Sequence, residues 1–210
     1  MNLVFCSKLN KEVDEVIINF RNNNNLDIGF IPSATSVNNK YFKEVEKHYK
    51  KEYGFSDVFC LDIDKNYDKK YFREGLKKCC ILILSGGDTK FFLEKIMKRG
   101  LKEFFVEFAR NESNLLVGVS AGGIIMTENI NTANILNKEA VENEQGLGLV
   151  DFEFFPHYNS SYERVIRKYS LKNKRKIFVC SDNEVMFFNK GKKMSNSYYC
   201  KGRFYDKSRN

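Results

Sequence analysis

The stretch Leu115-Leu116-Val117, Gly118-Val119-Ser120-Ala121-Gly122, Gly123-Ile124-Ile125-Met126 reads in turn as an apolar strand, one sharp bend and the start of a helix. That is the layout of a nucleophile elbow, in which a strained turn lifts a serine hydroxyl out at the end of a strand. Glycines two before and two after the serine are what so tight a bend requires, because side chains there would collide. Read without chemistry, the same residues are a strand-to-helix turn with a small capping serine.

Outward from the elbow, short apolar runs alternate with amphipathic ones. Leu3 to Cys6, Ile28 to Ile31, Val58 to Ile63 and Ile81 to Leu84 read as strands. Val13 to Arg21, Tyr41 to Glu52, Lys69 to Lys78, Phe91 to Met97 and Leu101 to Ala109 read as helices between or after them. Strands apolar on both faces and separated by helices indicate a parallel sheet covered on each side. The expected fold is therefore α/β, a single-domain, three-layer, doubly wound and mostly parallel sheet with helices on both faces, spanning residues 1–210. The last third changes character. Ile177 to Cys180, Val185 to Phe188 and Ser197 to Phe204 are strand-like, with a hairpin-type turn at Asn189-Lys190-Gly191-Lys192.

In a doubly wound sheet, ligands gather beyond the carboxyl ends of the strands. Two glycine-rich turns fall there, Ser85-Gly86-Gly87-Asp88-Thr89 and the elbow itself. A serine hydroxyl needs a base to take its proton, and the chain has two histidines. His48 lies in a charged helix and reads as a surface residue. His157 follows Phe154-Phe155-Pro156, where a strand stops at a proline, and is the expected base. Acyl transfer also needs donors for an oxyanion: the Ala121 N–H is the first, and the Gly86-Gly87 turn is the source of a second. Asp88 or Thr89 is at the same time a natural N-cap for the helix that follows.

Composition narrows the alternatives. At 210 residues with 42% hydrophobic residues, the chain is long enough for one well-buried core and too short for two ordinary domains. No apolar run approaches the ~20 residues that cross a bilayer, so a cytoplasmic protein without membrane contact is expected. The cysteines at 6, 60, 79, 80, 180 and 200 form no C-x-x-C pair and read as reduced, mostly apolar residues. The net charge of +8 raises a nucleic-acid role, but acidic residues are interleaved with the basic ones. Even the densest basic run, Lys172 to Lys176, reads as a solvated loop, so no nucleic-acid partner is expected. Asn22 to Asn25 is a low-complexity turn.

Ile31-Pro32-Ser33-Ala34-Thr35-Ser36, Ser85 to Leu93, Gly118 to Gly122, and Gly148 to Phe152 with Phe155-Pro156-His157-Tyr158 together resemble, in order and spacing, the dipeptidase E family of serine peptidases. The resemblance covers nearly the whole chain. It implies a fold similar to class I glutamine amidotransferases, with serine in place of cysteine at the elbow. It also implies Ser120 as nucleophile, His157 as base, Gly87 and Ala121 as oxyanion donors, and neither metal nor organic cofactor. The expected substrate is a short peptide, in the best-known members a dipeptide with amino-terminal aspartate. A related branch cleaves the aspartate–arginine polymer cyanophycin. A homodimer is left open.

One departure stands out. The family's third residue is acidic and lies between the serine and the histidine, yet the matching position here is Ile135. Glu128, Glu139 or a nearby asparagine are the substitutes to weigh. With no carboxylate assigned, the alternative function is an impaired homologue that binds peptides or small molecules. Arg164 and Arg167 follow His157 on a helix-like stretch as cations for an acidic substrate side chain, although solvent is the expected place for both.

Overall fold

The computed structural model describes residues 1–21, 27–35, 38–137, 144–189 and 203–205. Its strands are β1 (Asn2–Cys6), β2 (Asp27–Ile31), β3 (Val58–Cys60), β4 (Cys79–Leu84), β5 (Leu115–Val119), β6 (Glu153–Phe155), β7 (Ile177–Val179), β8 (Val185–Asn189) and β9 (Arg203–Tyr205). Six of them form the main sheet, in the order β3-β2-β4-β5-β1-β8. Its neighbours run parallel except β8, which lies antiparallel along β1.

The two-residue side-chain period of a strand sorts the apolar runs between two cores. Leu3, Phe5, Leu82, Leu84 and Leu116 face the helices Lys69–Lys77, Thr89–Lys98 and Lys102–Arg110. Val4, Cys6, Ile83, Val117 and Val119 face Lys11–Arg21 and Lys43–Tyr53 on the other side. Burial of both faces explains the continuous apolar runs, and the α/β three-layer expectation holds. Among the described residues no helix is long and apolar enough to cross a membrane.

Three local expectations are corrected. The third strand stops at Cys60 rather than Ile63, because Asp62 folds the chain back by accepting the Asp64 N–H at 2.7 Å. Before Lys43 the helix is wound as a π-turn over Asn38–Phe42. His48, read as a surface residue, is partly one: its side chain is 39% exposed, but its Nε2 lies 2.9 Å from the buried Asp14 carboxylate.

The carboxyl-terminal third adds a second sheet in the order β6-β7-β9, with β6 and β7 parallel and β9 antiparallel. β8 and β9 belong to different sheets, so they are not the two arms of one hairpin. Of the turn expected at Asn189 to Lys192, Asn189 is the last residue of β8 and the rest lies outside the described residues, as do Asn22 to Asn25 and residues 197–202 of the expected last strand, Cys200 among them. The small sheet packs on the large one through aromatic rings. Phe5 of β1 meets Phe152 and Phe154 at centroid distances of 5.3 and 5.4 Å. Fully burying a side chain of that size contributes ~1.5–3 kcal/mol.

Candidate active site

β5 runs into Ser120, and the helix Ala121–Ile125 begins at the next residue. Ser120 has φ 50° and ψ −112°, a conformation that is costly for any residue with a side chain. The surroundings hold it there. Its N–H donates to the Cys6 carbonyl at the end of β1 (2.8 Å), and the Gly122 N–H donates to the Ser85 carbonyl at the end of β4 (3.1 Å). A Cβ on Gly122 would stand 2.2 Å from the Leu84 carbonyl oxygen, and one on Gly118 would stand 2.6 Å from the Gly123 Cα. Both elbow glycines are therefore required by contact with backbone.

The Gly86-Gly87 turn lies against this elbow. A Cβ on Gly86 would be 3.4 Å from the Ser120 Cβ. Gly87 has φ 141°, and a Cβ there would fall 2.1 Å from Ser33 Oγ. The Ser33 hydroxyl donates to the Gly86 carbonyl at 2.8 Å, and its N–H to Ser85 Oγ at 2.7 Å, so the Pro32-Ser33 segment braces the turn. Asp88 caps the helix Thr89–Lys98 by accepting the Phe91 N–H at 2.8 Å, as the plain reading expects. Ala121 is the first residue of its helix and has no carbonyl four residues back within it to bond.

His157 comes from the small sheet, two residues beyond β6, not from a strand of the large one. It too sits at positive φ, 55°. One buried hydroxyl fixes that backbone: Ser7 Oγ, just past β1, accepts the His157 N–H at 2.8 Å and donates to the Cys180 carbonyl at 2.8 Å. The Tyr158 N–H donates to the same carbonyl at 3.0 Å. So held, the imidazole places Nε2 2.9 Å from Ser120 Oγ. Its Nδ1 lies 2.7 Å from the Asp182 carboxylate.

Asp182 is the residue that sequence reasoning missed. It stands after His157 rather than before it, in the turn following β7. Of the substitutes weighed, Glu128 pairs with Arg175, and Glu139 lies outside the described residues. Ile135 sits on the helix Thr132–Asn137, packed into a small core with Phe155, Ile166 and Ile177. The hydrogen bond from His157 holds the Asp182 carboxyl below its ordinary range, and Lys8 adds to this from 3.2 Å. An ionised carboxylate only accepts, so Nδ1 carries the imidazole proton and Nε2 is left free to take one from Ser120.

The chain belongs to peptidase family S51. The family profile matches residues 5–196. An uncharacterized peptidase of Listeria monocytogenes, Lmo0363, is 27% identical over 198 residues, covering 89% of this chain and 94% of its own. Its counterpart in Listeria innocua, Lin0382, is 25% identical over 205 residues, 89% of this chain and 96% of its own. In fold, the S51 chain is similar to a candidate peptidase E protein from Listeria monocytogenes, with a TM-score of 0.68, 22% identity and 98% coverage of both chains. A peptidase from an acI-B1 Actinobacterium superposes with a TM-score of 0.66 at 14% identity, over 90% of this chain and 83% of that one.

Other groups of this S51 peptidase are placed less centrally. Burial pushes the Cys6 thiol well up and the Cys79 thiol up to about 12, which keeps both protonated and unreactive. Arg167 is held by Glu163 at 3.0 Å, and Arg164 is exposed, as expected for both. The basic run is partly neutralised, since Arg175 pairs with Glu128 and Glu153.

Proposed function

We propose that this S51 peptidase hydrolyses short peptides through an acyl-enzyme on Ser120, with His157 as general base and Asp182 as the carboxylate that orients it. The observation that carries the reading is the position of His157, with one ring nitrogen 2.9 Å from Ser120 Oγ and the other 2.7 Å from Asp182. In the first step Ser120 Oγ attacks the scissile carbonyl carbon while Nε2 takes the hydroxyl proton. The carbonyl oxygen becomes an oxyanion facing the N–H groups of Gly87 and Ala121. The imidazolium, steadied by Asp182, then gives its proton to the leaving amine, and the C–N bond breaks. Water repeats the sequence on the ester and releases the acid.

A dipeptide with amino-terminal aspartate is the substrate class to test first, on the family resemblance. The alternative of a binder without activity rested on a missing carboxylate, and Asp182 removes that argument. The test uses a fluorophosphonate probe beside mass-spectrometric assay of a dipeptide panel. Labelling and hydrolysis lost in Ser120→Ala and strongly reduced in His157→Ala support the reading. Folded wild-type protein that neither labels nor cleaves any peptide sinks it.

A further inference from the structure

The carboxylate of Asp182 is tied to more than the imidazole. Its side chain is 46% exposed and sits in a turn, so packing alone does not fix it. Three polar residues in the four that follow β1, Ser7, Lys8 and Asn10, hold the His157–Asp182 pair instead. Ser7 takes the His157 N–H; Lys8 Nζ lies 3.2 Å from Asp182 Oδ2; Asn10 Nδ2 donates to the Asp182 main-chain carbonyl at 3.2 Å. Asn10 is itself anchored, because its Oδ1 accepts the Val13 N–H at 3.0 Å and caps the helix Lys11–Arg21. From the other side the turn is closed by Glu184, whose carboxylate accepts the Ser181 N–H at 2.6 Å.

We infer that Lys8 is a positioning residue for the reaction, holding Asp182 Oδ2 so that Oδ1 stays on His157 Nδ1. The inference rests on the serine-peptidase reading above. A carboxylate on a single bond to its ring rotates readily when half its surface meets water. An ammonium on the second oxygen fixes the rotation, and it does so from the loop that also fixes the His157 backbone. Half of the Lys8 side chain is exposed, so its contribution is modest and screened by salt.

The test measures labelling of the full chain by a fluorophosphonate with an uncharged polyether linker, resolved into kinact and KI. Wild type, Lys8→Met, Lys8→Arg, Asp182→Asn and the double variant Lys8→Met with Asp182→Asn are compared. Lys8→Met is expected to lower kinact roughly two- to fivefold with KI unchanged, the scale of an exposed ion pair, and Lys8→Arg to restore it. In the Asp182→Asn background the same Lys8→Met change is expected to raise kinact, because the amide oxygen is then free to turn from position 8 to the imidazole. A merely structural lysine would lower both backgrounds alike, and that result overturns the proposal. So does a rise in KI at constant kinact, which would make Lys8 a substrate contact. Wild-type protein that does not label removes the peptidase reading itself, and the inference with it.

Discussion

Asp182→Asn is the substitution on which the assignment of the orienting group turns. In the wild type, Oδ1 takes the Nδ1–H of His157 at 2.7 Å while Oδ2 faces the Lys8 ammonium at 3.2 Å. An asparagine has one oxygen to offer, and an ammonium can only donate. The amide oxygen therefore turns to Lys8 and the NH₂ group to His157. Nδ1 must then accept, so the ring proton moves to Nε2, which points at Ser120 Oγ from 2.9 Å. A protonated Nε2 cannot take the serine's proton. The same tautomer error costs ~10⁴ in kcat in a buried triad, about 5.5 kcal/mol of transition-state stabilisation. Here the pair is more open, with side-chain exposures of 40% and 46%, and water can bond Nδ1–H in a minority of molecules. The expected loss is accordingly smaller, on the order of 10²–10³-fold in kcat.

The assay is steady-state hydrolysis of a peptide that wild type cleaves, with thermal melts beside it to show that the fold is intact. Because Asp182 lies in an exposed turn, the melting temperature should stay within about 2 °C of wild type. Glu128→Gln serves as the control and should leave kcat unchanged, since Glu128 pairs with Arg175 away from the imidazole. An Asp182→Asn enzyme within about threefold of wild type would refute the argument.

Three further outcomes follow from the same geometry. Gly87→Ala places a methyl 2.1 Å from Ser33 Oγ at a φ of 141°, so the turn must shift and its N–H with it. The expected loss is about 10²-fold or more in kcat with little change in KM, and a pure KM effect would remove Gly87 from the oxyanion site. Glu163 is held down to about 2 by hydrogen bonds from Tyr158 and Tyr205, then by Arg167. Its folded value lies below the unfolded ~4.3, so its stabilisation is complete above the unfolded value and disappears as pH falls through the folded one. Urea unfolding should show Glu163→Gln less stable than wild type near neutrality, with the gap closing toward pH 2; a constant gap would contradict the linkage. Ile135→Asp, which restores the acid at the position expected from the family, should give no gain in kcat and a loss of ~1–3 kcal/mol of stability, because Ile135 packs in the small core.

What could be read in the chain and what could not divides along a physical line. The elbow was legible because its constraint is local: a strand, two glycines and a helix within a dozen residues determine where Ser120 must point. The large sheet was legible for a related reason, since strands buried on both faces leave continuous apolar runs. Asp182 left no such trace. Nothing in Cys180-Ser181-Asp182-Asn183-Glu184 sets that aspartate apart from any other turn residue. Its role exists only once β6 and β7 lie parallel, which brings the ends of two strands together with His157 beside one and Asp182 beside the other. A search confined to the segment between Ser120 and His157 could not reach it. The general signal was present all the same, a carboxylate one turn beyond the carboxyl end of an apolar strand. Ser7 was hidden in the same way, because a serine after a strand is commonplace until its hydroxyl meets a backbone 150 residues away.

The division of the site between two sheets explains why so much of the chain serves one hydrogen bond. Ser120 belongs to the large sheet, while His157 and Asp182 belong to the small one, so the 2.9 Å contact between Nε2 and Oγ is set by how the sheets dock. Two devices fix that docking. Rings of Phe5, Phe152 and Phe154 fill the space between the layers, and Phe154 comes so close to the elbow helix that a Cβ on Gly123 would stand 2.6 Å from its ring. Ser7 then joins the end of β1 to the ends of β6 and β7 in the small sheet, using its one proton on Cys180 and a lone pair on His157. Apolar packing alone would tolerate a slide of the small sheet over the large one, since it has no direction. The buried hydroxyl does not tolerate it, because a slide would leave two donors, the Ser7 O–H and the His157 N–H, without their acceptors at ~1–3 kcal/mol each. The same strand end that presents Cys6 to the nucleophile's backbone therefore presents Ser7 to the base, and the two halves of the site are referenced to one point on β1.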